Sequence, residues 1–435
     1  MNHYCISTQQ FKYCPQSRVS QLDVKNIVPE QLPPQSQARP PKRRIAMLAA
    51  AATLSIIAIV TTTTHLRKSR DSYAINDFAS YYAWGTMYSG GSDLWSATAE
   101  ASDVAGVPKH PRACNYTPAF VQFFAPLAHL DRQTAFWIWQ SLQLLSLAIA
   151  MIILASSAEP PFSAAGTAIA VAIAFLFRPL SSMIHYSQFA ALLLMMLTAS
   201  WVSAQRGRAM WAGWWLALAT LLKLYPAAAA GYFLFTRQFK VFAWFVAFTS
   251  IGVLTSGAGH WIDLFRYGIA NSLKETSPIQ IGVMGALGSA GANSNLPLSG
   301  ALIAAIDAAL IAITIITTVR AGAGSNTQGL AFSLWMILGL ELSPVVWPHE
   351  LPLAIPAYLF AALTAWQLYS ERSAVIARPW FIGGVVLTGT IATHDFTTLI
   401  PGVHPRFLAL ILTYLGAAML LHAHTLAERI EQAQK

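Results

Sequence analysis

Charged residues are scarce in this sequence: Asp, Glu, Lys and Arg make up 10% of its 435 residues, where soluble chains carry about 25%. So few charges cannot cover a water-exposed surface. The 55% hydrophobic share and the mean hydropathy of +0.49 identify an integral membrane protein. Cysteine is scarcer still. Cys5, Cys14 and Cys114 are too few and too unevenly spaced for a disulfide framework or a thiolate metal site, and they read as free thiols. Also missing are a glycine-rich phosphate loop after a strand and a soluble catalytic module, which argues against a nucleotide-bound substrate. The net charge of +9 comes from basic residues scattered between apolar stretches, with no stripe of interleaved aromatics. Nucleic acid is therefore excluded as a partner, and the excess points to orientation in a lipid bilayer.

What the chain does have is long apolar runs. Residues 1–41 precede them, polar and rich in Gln, Ser and Pro, and are expected to form a disordered cytoplasmic tail. The run 45–64 after "PKRR" is long enough to cross a hydrocarbon core of about 30 Å. It begins too far into the chain for a signal peptide and lacks a small-residue cleavage site, so it reads as a retained anchor. Further runs lie near 133–155, 162–180, 186–204, 209–236, 240–258, 298–319, 328–342, 350–369, 380–400 and 407–425. The 209–236 run is too long for one span and holds "KLYP" at its middle, so two short helices meeting at a tip are expected. The expected fold is all-α and polytopic, with about 10–12 transmembrane helices. The transmembrane domain covers 42–427, with outer-face loops 65–132 and 259–297, and 428–435 form a cytoplasmic C-terminal tail.

The hairpin can be checked against charge. With "PKRR" cytoplasmic, the same count puts "QRGR" (205–208), "RQFK" (237–240), Arg320, Arg372, Arg378 and Arg429 on the cytoplasmic side, with both termini. Arg67, Lys68 and Arg70 are an exception, in a long loop where charge constrains topology weakly. The outer face then receives Asp77, "NYTP" (115–118), "RPLSSMIHYSQ" (178–188), the "KLYP" tip, "SPVVWPHE" (343–350) and "HDFTTLIPGVHPR" (394–406). Nearly all the unusual polar residues collect there.

Ionisable groups at a membrane-embedded or juxtamembrane site are costly unless they face a cavity or a partner, so each is a functional candidate. Each also has a plain structural reading. Asp77, in "YAINDFASYYAWG", is either a catalytic carboxylate or a loop acid or helix cap. Lys223 is either a substrate ligand or a side chain snorkelling to the interface. His349 is either a ligand or a packed, hydrogen-bonded histidine. His185, Gln188, His404 and Arg406 carry weaker signals. A lone carboxylate acts as general base toward a hydroxyl, while Lys and His stabilise a departing phosphate. That pairing fits glycosyl transfer from a lipid-linked sugar phosphate, whose leaving group needs no strong acid. A glycosidase would want two flanking carboxyls, and Asp93 and Asp103 sit in a polar loop.

The same residues resemble the polyprenol-phosphate-dependent glycosyltransferases of family 87, which are similar to multi-span transferases of the C-type fold. The resemblance runs from about residue 73 to 370. "DFASYYAWG" followed by "GGSDLW" looks like the family's first outer loop, and "NYTPAFVQFFAPLAHLDRQTAFWIWQSLQLL" resembles its next block. "RPLSSMIHYSQFAALLLMML" corresponds to a block that usually contains Gly-Gln-x-Asn, with Ser187 and Ala190 in place of Gly and Asn. "AGWWLALATLLKLYP" and "LSPVVWPHELPLAIP" look like the Lys-x-x-Pro and Ser-Pro-x-x-Trp-x-His blocks, with Glu350 where a second His is frequent.

The resemblance implies an inverting transferase that moves a sugar, mannose by family frequency, from a polyprenyl-phosphate donor to a cell-envelope glycolipid or polysaccharide. It implies that Asp77 activates the acceptor hydroxyl and that Lys223 and His349 lie near the donor phosphate. Tyr81, Tyr82, Tyr116, His185, Gln188, Trp347, Glu350, His404 and Arg406 are candidates for the substrate pocket. Asn76 precedes Asp77 where several C-type relatives carry paired acids for metal binding, so no metal and no cofactor is expected, with a divalent ion left open. The competing reading is a polytopic transporter or lipid flippase, which would place charges near the midplane of broken helices in two related halves. No clear internal repeat is present.

Overall fold

Among the described residues the apolar runs form helices, and most of the polar or proline-bearing breaks between them form turns. The computed structural model describes residues 41–72, 76–95, 114–269, 282–284, 300–322, 324–370 and 405–434. Residues 1–46 form a unit of their own, and the architecture below belongs to 47–435. The expected tail 1–41, apart from its last residue, and the expected span 380–400 lie outside the described residues.

Helix α1 covers Pro41–Ser72 and α2 covers Asp77–Ser89. Helix α3, Pro118–Phe124, runs into a 3-10 turn at Ala125–His129, and α4 is Arg132–Ser157. Helices α5 (Ala164–Leu176) and α6 (Arg178–Tyr186) meet at Phe177 with a 60° bend, where Pro179 denies α6 a continuous ladder. Then come α7 (Ala190–Gln205), α8 (Ala209–Leu222), a 3-10 turn at Tyr225–Ala229, α9 (Ala230–Phe235) and α10 (Phe239–Thr255). Helix α11, Ala258–Asp263, turns away by 99° and ends in a π-helical turn at Leu264–Ile269. The last elements are α12 (Gly300–Arg320), α13 (Ser325–Leu342), a 3-10 turn at Pro348–Ala354, α14 (Ile355–Ser370) and α15 (Pro405–Gln434). No strand occurs among the described residues.

Five of these helical stretches are long and apolar enough to cross a bilayer, or seven when each bent pair counts as one span. The expected 10–12 is reached only if the shorter apolar helices, such as α7 and α8, and residues outside the described set also cross. Helix α1 shows Ile56, Ile59 and Val60 to its surroundings, which suits a lipid-facing anchor. The expected outer loop 65–132 is not a plain loop. It holds the end of α1, then α2 and α3, because "DFASYYAWG" and "PAFVQFF" bury aromatic faces. The expected C-terminal tail continues α15 as helix through Gln434.

The expected hairpin at 209–236 is present. A Cβ on Gly213 of α8 would stand 2.7 Å from Phe245 N of α10, and one on Gly252 of α10 would meet Leu221 of α8. Rising numbers pair with rising numbers, so α8 and α10 run parallel. The chain between them must therefore return, which it does through the 225–229 turn and α9. This puts "QRGR" and "RQFK" at one end of the bundle, where Gly207, Arg237 and Lys240 line one groove and Gln205, Arg237 and Thr318 line another. Arg320 joins them, its carbonyl accepting from Thr425 Oγ1 at 2.9 Å. The starts of α2, α4 and α7 and the ends of α6, α8 and α13 lie at the opposite end, together with the polar candidates.

Candidate active site

The site begins with a helix cap. Asn76 is extended, and its side chain accepts from Phe78 N at 3.0 Å, so Asn76 caps α2 and Asp77 is its first residue. Asn76 also reaches across: its Nδ2 donates to His185 O at 2.8 Å and to Ser187 Oγ at 3.3 Å. The break between α6 and α7 is thus held from several sides. Trp139 Nε1 donates to Ser187 O at 2.7 Å, Gln140 Nε2 donates to Ile184 O and Ser187 Oγ, and Ser69 Oγ donates to Ile184 O. Helix α7 has no side-chain cap of its own, and Gln143 Oε1 accepts from Leu192 N instead. Ser187 sits at φ 57°, ψ 32°, in the left-handed region that favours glycine. The resemblance set Gly against Ser at this position, and the backbone supplies the reason.

That break aims Gln188 at Asp77. Gln188 is buried, and its Nε2 donates to Asp77 Oδ2 at 2.5 Å and to the Tyr116 hydroxyl at 3.2 Å. The hydroxyls of Tyr116 and Tyr81 share a hydrogen bond of 2.9 Å. Beneath them Phe120 and Phe189 stack at 4.6 Å, with Trp139 and Phe124 edge-on, and form an apolar floor. Burial pushes both phenols well above their ordinary range; at Tyr81 the neighbouring Tyr116 and the Asp77 charge push the same way, while at Tyr116 the Asp77 charge adds to burial and the hydrogen bond with Tyr81 works against it. They remain protonated and able to donate, beside the Asp77 carboxylate.

The second half of the site comes from the hairpin tip and the 348–354 turn. Thr117 caps α3 and donates from Oγ1 to Leu221 O and Leu222 O, which ties the Tyr116 segment to the end of α8. Lys223 leaves α8 in extended conformation, with its Nζ 5.6 Å from the Tyr116 ring and 5.4 Å from the Phe189 ring. Its ammonium pairs with Glu350 Oε1, and the Tyr225 hydroxyl donates to Glu350 Oε2. His349 is buried, its Nε2 lies 3.6 Å from Glu350 Oε1, and that nitrogen has no hydrogen-bond partner among the described residues. Pro226 and Pro348 each open a 3-10 turn, which fixes where these side chains leave the backbone.

Asp77, Tyr81, Tyr116, Gln188, Lys223, His349 and Glu350 therefore converge, as do two halves that sequence alone separates by more than a hundred residues. Trp347 is half-buried and stacks near His349 at 6.5 Å. Tyr82 does not join them: its hydroxyl donates to Leu130 O at 2.8 Å and steadies the turn before α4. The His185 side chain is exposed beside Tyr186, and only its carbonyl serves the site. His404 and the Arg406 side chain lie outside the described residues. Sequence reasoning passed over Tyr225, although it stands inside the quoted "KLYP" block. It also passed over Gln140 and Gln143, whose signal was an amide in the middle of an apolar run.

The sequence profile of glycosyltransferase family 87 matches residues 115–348. That span starts one residue before Tyr116 and ends one residue before His349, so it contains Gln188, Lys223 and Tyr225. No curated protein and no solved structure matches the chain.

Proposed function

The chain belongs to glycosyltransferase family 87 and is a membrane glycosyltransferase, and on that premise we propose that it takes its sugar from a polyprenyl-phosphate donor at the outer face. The acceptor is a hydroxyl of a cell-envelope glycolipid or polysaccharide. Asp77 removes the acceptor proton as the oxygen attacks the anomeric carbon. The bond from that carbon to the phosphate oxygen breaks with its electron pair going to the phosphate, and configuration inverts. Mannose is the proposed sugar, on its frequency in the family.

One observation carries this reading: a carboxylate held by Gln188 and a Lys, Tyr and His group lie at the same end of the bundle, next to each other through Tyr116. Proton removal and phosphate stabilisation are the two tasks of the reaction, and these are the groups suited to them. The outer-face placement is supported by the basic loops at the opposite end, which the positive-inside tendency assigns to the cytoplasm. The transporter alternative gives way to the family assignment. Asp77 has no second carboxylate within its own turn, and we propose that no metal is required.

The test is an assay of purified protein with radiolabelled polyprenyl-phosphate mannose and polyprenyl-phosphate arabinofuranose, with and without EDTA. Transfer from one of them should persist in EDTA. Lys223→Ala should raise the donor KM and Lys223→Arg should recover part of it, since charge is kept. No transfer from either donor would reject the donor class.

A further inference from the structure

We propose that the Glu350 carboxylate is a built-in substitute for the donor phosphate, seated in an anion cradle of Lys223, Tyr225 and His349, and that the donor displaces it on binding. The proposal rests on the reading that the donor phosphate binds at Lys223. It adds Tyr225 as a phosphate ligand and gives Glu350 the role of a competitor.

The geometry is that of an occupied anion site. Each oxygen of Glu350 takes one donor, Lys223 Nζ on Oε1 and the Tyr225 hydroxyl on Oε2. His349 Nε2 stands 3.6 Å from Oε1, buried and without a hydrogen-bond partner among the described residues. Three potential donors from two segments, the hairpin tip and the 348–354 turn, converge on one carboxylate. Such donors serve a phosphate oxygen as well as a carboxylate oxygen, because both are anionic acceptors. The side chain of Glu350 is 2% exposed, whereas that of Lys223 is 21% exposed. The carboxylate is therefore closed off while part of the lysine stays exposed, and the Lys223 ammonium lies 5.6 Å from the Tyr116 ring.

Charge makes simultaneous occupancy unfavourable. With Glu350 in place, an arriving phosphodiester meets a neutralised ammonium and a carboxylate of its own sign. Once Glu350 moves out, Lys223 and Tyr225 are free for the phosphate. After transfer the leaving phosphate carries one further negative charge, and the returning carboxylate competes with it for the same donors. The same residue thus keeps the empty cradle satisfied and favours release of the spent lipid phosphate. This depends on a carboxylate at position 350, where the resemblance sets a histidine.

Farnesyl phosphate serves as the probe, and its binding to the full-length protein in detergent is measured by calorimetry, which needs no transfer reaction. Glu350→Gln keeps the size of the side chain and removes its charge, so binding should tighten on the order of tenfold, the difference between a charged and a neutral hydrogen-bond partner for Lys223. Glu350→Asp withdraws the carboxylate by one methylene and should also tighten binding. Tyr225→Phe in the Glu350→Gln background should weaken it again. Equal or weaker binding by both Glu350 variants, with normal thermal melting, overturns the proposal and makes Glu350 a positioning residue for Lys223. Unchanged binding in Lys223→Ala instead overturns the donor-site reading, whatever Glu350 does.

Discussion

Gln188 Nε2 donates to Asp77 Oδ2 at 2.5 Å, a contact between residues 111 positions apart in the chain. It constrains the direction of the carboxylate proposed to take the acceptor proton, and it ties the α6–α7 break to the start of α2. Removing it takes this constraint off the Asp77 carboxylate. Gln188→Ala should therefore lower kcat by about tenfold or more while changing donor KM little, since orientation and not charge is lost. Steady-state kinetics with a saturating acceptor checks this, and a change confined to donor KM would contradict it.

The hairpin tip is set by its seat on α13. A Cβ at Gly339 would lie 2.5 Å from the carbonyl oxygen of Tyr225, a backbone atom that has no room to move aside. Gly339→Ala should push the tip off α13 and take Lys223 and Tyr225 with it. We expect a stability loss of about 1–3 kcal/mol from overpacking. The donor KM should rise more than this loss of stability alone explains. Thermal melting and donor titration of the same preparation test the two effects together.

Cys114 marks whether the wall of the site opens. Its backbone N–H donates to Leu94 O at 2.8 Å, its side chain is buried, and burial pushes the thiol well above its ordinary range. A buried protonated thiol reacts slowly. In protein carrying Cys5→Ser and Cys14→Ser, a maleimide should leave Cys114 unlabelled under native conditions and label it fully after denaturation. Mass spectrometry reads both states, and rapid native labelling would mean that the segment 114–117 leaves its place.

Helix positions were legible in the sequence because a bilayer imposes them: runs such as 133–155 and 407–425 sit inside Arg132–Ser157 and Pro405–Gln434. The hairpin was legible too, since length and "KLYP" left no other course for 209–236. The cap was not. Asn and Asp stand side by side at 76 and 77 and cap helices about equally well, so only the backbone assigns the task to Asn76. Tyr82 and Tyr81 are adjacent, and one helical residue step turns them to different surroundings, which composition cannot distinguish. Glu350 read as a departure from a pattern. Its contact with Lys223 and Tyr225 is a tertiary fact, made by segments more than a hundred residues apart.

Asn76 holds the cap, so the role proposed for Asp77 as the base does not compete with capping, and the account depends on it. Asp77→Asn keeps the size of the side chain and removes the basic oxygen, with the α2 cap untouched. The most direct measurement is the turnover of Asp77→Asn protein at saturating donor and acceptor, beside its thermal melting. Turnover should fall by about 10²- to 10⁴-fold, the usual contribution of a positioned base, with melting and donor affinity close to those of the parent. Near-normal turnover in a well-folded variant would contradict the assignment of Asp77 as the base.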